Sequence, residues 1–416
     1  MLHYLTNESE RKKMRFPSLL VFNISTAYAL STMGDLVLYT ILPSYYPYVG
    51  LIPFQVGILL SIHRWTRLAT NRIAEKVFRS YPSNLWLIFA LFTGSVVTAL
   101  YGLANTFIIF LGARIVWGIS YSFIRQISII VAAKAGPEGN LGERMGYYRG
   151  IGVIWIAAAV FLGGISHEHF GFRITFIALS ILSLSAVPLG AVSQKDLKHL
   201  RESSLISFSG KGDYWIGFLG FAYAFVGLGM IISTVGFILK EQAGESVQVS
   251  GFSVGVVTAT GIILGLRWLL MGIGSPFLGN AADRIGRELF IFFGFLIGAL
   301  DLLIIGVYTK PLLLILFVLL FFACESILYT LLTAQASQRG TRSVASYVTG
   351  VDFGSALGPI IGWIIAQYCI HTKYIFILGS IIYVFGAIIS LRIWLSNIRS
   401  SLAKSFHIFH SIQTMI

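Results

Sequence analysis

The sequence predicts an all-α integral membrane protein of twelve transmembrane helices in two groups of six. Three observations predict it. Of 416 residues, 56% are hydrophobic and only 11% charged, with a mean hydropathy of +0.81. A soluble domain carries about 25% charged residues. Apolar stretches close to the ~20 residues that a helix needs to cross a ~30 Å bilayer core recur twelve times. Lys and Arg crowd alternate connections between these stretches.

In order, the stretches are 17–42, 54–78, 84–104, 107–133, 142–165, 172–192, 214–239, 252–282, 289–308, 312–337, 344–369 and 374–394. The first is too long for a signal-peptide core and lacks a small-residue cleavage site, so it stays as a helix. Arg11, Lys12, Lys13 and Arg15 precede it. Arg72, Lys76 and Arg79 follow the second stretch, and Lys134 and Arg144 the fourth. Lys195, Lys198, Arg201 and Lys211 follow the sixth. Arg284 and Arg287 come after the eighth, Arg339 and Arg342 after the tenth, Arg399 and Lys404 after the twelfth. The loops 43–53 and 105–106 hold no Lys or Arg. The positive-inside rule then places both termini in the cytoplasm. The expected location is the plasma (inner) membrane. The net charge of +13 follows from this topology, not from a nucleic-acid surface. Cys324 and Cys369 both fall inside apolar stretches, and no disulfide is expected.

The most polar internal segment, 193–213, divides the chain into an N-terminal half (1–192) and a C-terminal half (214–416) with a short cytoplasmic tail. Each half carries a charged turn after its second helix. In the second it reads Gly279-Asn280-Ala281-Ala282-Asp283-Arg284-Ile285-Gly286-Arg287. In the first it reads Asn71-Arg72-Ile73-Ala74-Glu75-Lys76-Val77-Phe78-Arg79, with Glu-Lys for Asp-Arg. The pattern G-x-x-x-D-R-x-G-R between membrane helices resembles the loop motif of the major facilitator superfamily of transporters. The resemblance covers nearly the whole chain. Two further segments fit it. Arg114-Ile115-Val116-Trp117-Gly118 is similar to the family's R-x-x-Q-G signature of the fourth helix. Gly350, Gly354, Gly358, Pro359 and Gly362 resemble its Gly-Pro signature of antiporters, here in the eleventh helix instead of the fifth. Small residues every four positions also serve simply to let helices approach. The resemblance implies two pseudo-symmetric six-helix halves with the substrate site between them near the midplane.

Ionisable residues inside the membrane cost about 2.5–3.5 kcal/mol each at a helix centre, so they face a cavity or a partner. Asp35, Arg64, Arg67, Arg114, Arg125, Arg149, Arg267, Asp301, Glu325 and Asp352 qualify: six arginines against four acids. Tyr28, Ser31, Asp35 and Tyr39 share one stripe of the first helix. Asp35, in its outer half, can carry a proton. The resemblance implies that Asp35 and Arg114 take part in proton coupling, as in multidrug exporters; a structural ion pair is the other reading. Glu325, mid-helix in the tenth, is a second proton candidate. Arg64, Arg67 and Asn71 fall at i, i+3 and i+7 on one face. They can clamp a carboxylate or phosphate through bidentate hydrogen bonds. They can equally gate by pairing with Asp352, since the resemblance brings helices two and eleven together. Arg125 points within about 20° of Arg114 on the helical wheel. Arg125 and mid-helix Arg267 complete the substrate candidates. Asp283, Arg284, Arg287, Arg342 and Asp352 are the gating set, with Asp283 set against the start of helix eleven. Asp301 is expected near the outer surface, and His63 reads as an interior histidine or a proton relay.

No G-x-x-x-x-G-K-[ST] phosphate loop and no metal-spaced His/Cys/carboxylate set occurs. No cofactor and no enzymatic activity are expected, so energy comes from a gradient. The leading reading is a secondary active transporter, a monomer in the lipid bilayer. It moves a small organic anion by symport or antiport with protons. A proton-driven multidrug exporter is the alternative, and a non-transporting receptor or scaffold on the same fold is a third reading.

Overall fold

The computed structural model describes residues 17–81, 85–135, 141–192, 213–249, 251–307 and 310–413, and no side chain at 79, 141–142, 249, 274–285 or beyond 396. Asp283, Arg284 and the interhalf segment 193–212 therefore lie outside the described residues.

The chain is a bundle of long helices. The first four are α1 Leu19–Tyr45, α2 Pro53–Ser80, α3 Leu85–Leu103 and α4 Phe107–Lys134. The helix Leu141–Leu184 breaks at Gly171 (φ 80°, ψ 172°) into two passes. These are α5 (141–170) and α6 (172–184), the latter prolonged by Ala186–Val192. Only glycine adopts such a φ without strain, which is how one hydrophobic run of 50 residues turns back on itself. Then follow α7 Tyr214–Ala243, α8 Val256–Ile285, α9 Arg287–Val307, α10 Pro311–Gln338, α11 Thr341–Tyr368 and α12 Lys373–Gln413. Nine segments among the described residues are long and apolar enough to cross a membrane. One of these holds both α5 and α6, and with α1 and α2 the bundle accords with twelve passes.

The eighth helix starts at Val256, not at 252. Residues Ser246–Val249 and Phe252–Gly255 pair instead as an antiparallel hairpin, β1 and β2, with Val247 opposite Val254. Alternating Val residues favour the pleat, and Gly251 (φ 90°) turns the chain.

Packing repeats with an offset of six. In the first half α1 lies on α5, α2 on α4 and α3 on α6; in the second α7 lies on α11, α8 on α10 and α9 on α12. The glycine stripe of α11 makes the closest of these contacts. A methyl group on Gly350, Gly354 or Gly358 would run into the main chain of α7 at Gly217, Phe221 or Phe225. Close helix approach through small residues is thus what this stripe does.

The halves meet through α2 with α11, α5 with α8 and α1 with α7. One end of the bundle is sealed. There Phe54 N donates to Gln367 Oε1 (2.8 Å), and Lys240 Nζ to the Ser44 carbonyl (3.1 Å). Glu168 of α5 accepts from both Thr258 N (2.9 Å) and Thr258 Oγ1 (2.7 Å) at the start of α8. Any side chain at Gly255 would collide with that carboxylate. The described α2–α11 seam runs inward from Phe54–Gln367 and ends at Arg67–Asp352, halfway along both helices.

Candidate functional site

Two arginine–carboxylate pairs lie deep within the halves. In the first, Arg114 of α4 is fully buried. Its NH1 binds Asp35 Oδ1 of α1, and its Nε donates to the Leu59 carbonyl of α2 (2.7 Å). Its NH2 lies 2.6 Å from His63 Nδ1, and Tyr101 OH stands 3.4 Å from NH1. Arginine has donors only, so Nδ1 accepts. The proton of a neutral His63 ring therefore sits on Nε2, 4.0 Å from Asp35 Oδ2. The Asp35 side chain keeps 10% of its surface accessible. Of the first-helix stripe, Tyr39 donates to the Leu60 carbonyl (2.6 Å), and Ser31 to its own helix.

In the second half, Arg267 of α8 grips Glu325 of α10 with a planar fork, Nε to Oε2 and NH2 to Oε1, both 2.8 Å. Accessibility is 2% for the arginine side chain and zero for the glutamate. The guanidinium lies 5.4 Å from both the Trp268 and the Phe322 rings. Gly227 of α7 leaves room for the carboxylate, which a Cβ would strike. Arg267 thus points into its own half, away from the interhalf seam.

Between the halves, Arg67 pairs with Asp352 (3.2 Å) and stacks 4.8 Å from the Tyr121 ring. Arg64 NH1 donates to two main-chain carbonyls of the opposite half, Leu228 (2.9 Å) and Ser355 (2.6 Å). In this state Arg64 and Arg67 are both engaged across the seam. Asn71, next on that face, has a buried Oδ1 with no hydrogen-bond partner.

An arginine–tyrosine cluster adjoins them. Tyr28 OH and Tyr121 OH share a hydrogen bond (2.7 Å), and the Tyr148 ring lies 5.6 Å from that of Tyr28. Arg125 stands within Coulombic range of Tyr121, Asp352, Tyr28 and Tyr148. Arg149 of α5 reaches across to Tyr329 of α10, 5.0 Å from its ring. Among the described residues, neither Arg125 nor Arg149 has a carboxylate at salt-bridge distance, and the buried Tyr223 hydroxyl has no hydrogen-bond partner. So the six arginines divide. Three pair with Asp35, Glu325 and Asp352, one takes carbonyls, and two face the cluster without an ion pair of their own.

Sequence reasoning did not assign Arg149 or bring Tyr121 and Tyr148 into a site. Tyr28 was the available signal, since aromatic rings reaching it must come from α4 and α5. Arg287 opens α9, and Arg342 lies in the first turn of α11, both with bonding partners of their own. Asp301 is 2% exposed, with both carboxyl oxygens buried and without a hydrogen-bond partner among the described residues. The α9 face that carries it turns inward against α10 and α12.

A twelve-pass bundle with six-helix packing symmetry and charged groups along the seam between halves defines a membrane transporter fold. The chain belongs to the Major Facilitator Superfamily, whose model matches residues 24–270 and 257–406. Among its relatives is multidrug resistance protein MdtG of Erwinia billingiae, 26% identical over 71% of this chain and 73% of that one. Another is the MFS-type transporter SLC18B1 of Mus musculus, 24% identical over 72% of this chain and 66% of that one. The solved nucleoside transporter NupG (D323A mutant) has the same fold. Its TM-score is 0.75 at 12% identity, covering 90% of this chain and 99% of that structure.

Proposed function

We propose that this transporter moves a small organic anion by alternating access, driven by protons. The two halves, 1–192 and 214–416, turn against each other as bodies. Both termini lie in the cytoplasm and the sealed end faces outward, so this is an inward-facing state. One observation carries the substrate class: Arg125 and Arg149 stand between the halves with no carboxylate at salt-bridge distance among the described residues, and the acid near Arg125, Asp352, is already paired with Arg67. Arginine does not shed its proton, so their charge persists and favours an anion. The tyrosine hydroxyls around them supply donors and acceptors. Asp35 is the proton carrier, since one of its oxygens is free of Arg114 and a histidine nitrogen faces it.

The test is a thermal-shift screen of purified protein in detergent, anionic metabolites against lipophilic cations, followed by uptake into proteoliposomes. An anion should raise the melting temperature, and Arg149→Gln or Arg125→Gln should weaken its binding roughly tenfold or more, the scale of one charge-assisted hydrogen bond. Stabilisation by lipophilic cations alone would instead support a multidrug exporter, the reading in line with the name of the relative multidrug resistance protein MdtG. Binding of neither class by a protein that also fails to transport would support a receptor or scaffold.

A further inference from the structure

Arg64 of α2 makes both its hydrogen bonds to main-chain carbonyls, and in an intact α-helix each of these oxygens would already accept one main-chain N–H. In α11, the helical partner of the Ser355 carbonyl would be the N–H of residue 359. That residue is Pro359, inside the helix, and proline has no N–H. In α7, residues Ala224–Ile231 form a π-helix. The α-helical partner of the Leu228 carbonyl would be the N–H of Ile232, but that group turns to Gly227 O and Gly229 O. Two separate irregularities thus take from each acceptor its α-helical donor. Gly229 and Gly358 hold them side by side, because a Cβ on Gly229 would come 2.8 Å from the Gly358 Cα. The acceptor pair is built entirely within the second half. The donor comes from the first. One turn further toward the sealed end, Ser61 Oγ donates to the Ala356 carbonyl.

We propose that Arg64 is an interhalf latch: it holds the sealed end shut by satisfying the two carbonyls that Pro359 and the π segment set free. This rests on the alternating-access reading above and gives Arg64 the part of a positioning residue for that motion. Opening the sealed end draws α2 away from α7 and α11. The guanidinium and both carbonyls then lose their partners together. A buried main-chain acceptor without a partner is unfavourable, so the latch biases the protein toward the state seen here. No carboxylate takes part. The latch therefore holds independently of proton binding, and the proton site must work against a constant load.

The test reads accessibility at both ends with a membrane-impermeant maleimide, in full-length protein carrying Cys369→Ala to remove the exposed native thiol. Ser44→Cys reports the sealed end, where Ser44 is buried. Thr349→Cys, which continues the α11 seam face past Asp352, reports the other. Arg64→Met should raise Ser44→Cys labelling about tenfold or more, the scale of one lost hydrogen bond to a charged donor. Arg64→Lys should restore part of the seal. Pro359→Ala supplies Ser355 with its own N–H, so it should loosen the seal in the native background and add nothing to Arg64→Met. That non-additivity separates the latch from a mere helix kink. Additive effects, or Ser44→Cys labelling unmoved by both Arg64→Met and Pro359→Ala, would overturn the latch. Labelling that rises at Ser44→Cys without falling at Thr349→Cys would keep the latch and refute alternating access. Should Arg64→Met not fold, Arg64→Lys and Pro359→Ala form the same cycle.

Discussion

Arg114 and Arg267 are equally buried, yet they hold their acids differently. Arg267 gives Glu325 a two-pronged, closed grip in a setting that admits no solvent to the carboxylate. Arg114 spreads its donors over Asp35, a carbonyl and His63, and leaves one aspartate oxygen to face an imidazole nitrogen. A carboxylate held by both oxygens in a dry site has no route for a proton. One held by a single oxygen, partly accessible and beside a histidine, has one. The difference sets a closed pair in the second half against a partly open one in the first, and under the proposed coupling it favours Asp35 over Glu325 as the group that exchanges protons.

The comparison can be broken from either side. The largest effect should come from Glu325→Leu, which strands a buried guanidinium. Removing one partner of such a pair costs about 3–5 kcal/mol, read as a lower melting temperature and lower folded yield in detergent. Arg267→Met combined with Glu325→Leu should recover most of the loss, since apolar replacement of a whole buried pair is often neutral. A stable Glu325→Gln protein that had lost pH-dependent transport would reverse the assignment. Asp35→Asn comes next. Arg114 keeps Leu59 and His63, so the stability cost should be about 1–3 kcal/mol. Proton-driven accumulation should vanish while substrate exchange between equal solutions persists. An unaltered pH profile would take Asp35 out of the mechanism. His63→Asn retains an acceptor near Arg114 but loses the nitrogen facing Asp35. It should leave the melting temperature close to that of the unaltered protein and shift the pH profile of transport. The smallest effect belongs to Glu245→Gln. Its ion pair with Lys240 (2.8 Å) is largely solvated, and such pairs contribute about 0.2–1 kcal/mol.

What could be read from the sequence follows from what is local in it. Twelve passes were visible because crossing a bilayer demands length and hydropathy, which no partner can alter. The Asp35–Arg114 contact was visible because Asp35 is the single charge of α1 and Arg114 lies at similar depth in α4. The Arg267–Glu325 pair was not, although both were noted as mid-helix charges. Their 58-residue separation fixes no direction, and only the α8–α10 packing brings them together. The π segment of α7 has no composition that marks it. It packs on α11, and the partners of Arg64 lay beyond reach. Pro359 was read as part of a family signature and as a packing element. The carbonyl it frees became meaningful only with a donor from another helix. The hairpin at 246–255 was hidden because a strand of alternating valines merges with the apolar run of α8.

Under the alternating access proposed above, the seam through Arg67 also sets the mechanics of the molecule. Arg67 lies 14 residues from Pro53 and 13 from Ser80, so α2 extends roughly 20 Å to either side of it. A rigid beam pivoting at its centre has equal lever arms. In that motion, whatever gap opens at one mouth would be matched by the closure at the other, with no bending of the beam. Helix length, not helix flexibility, would then limit the stroke and with it the width of cargo that can pass.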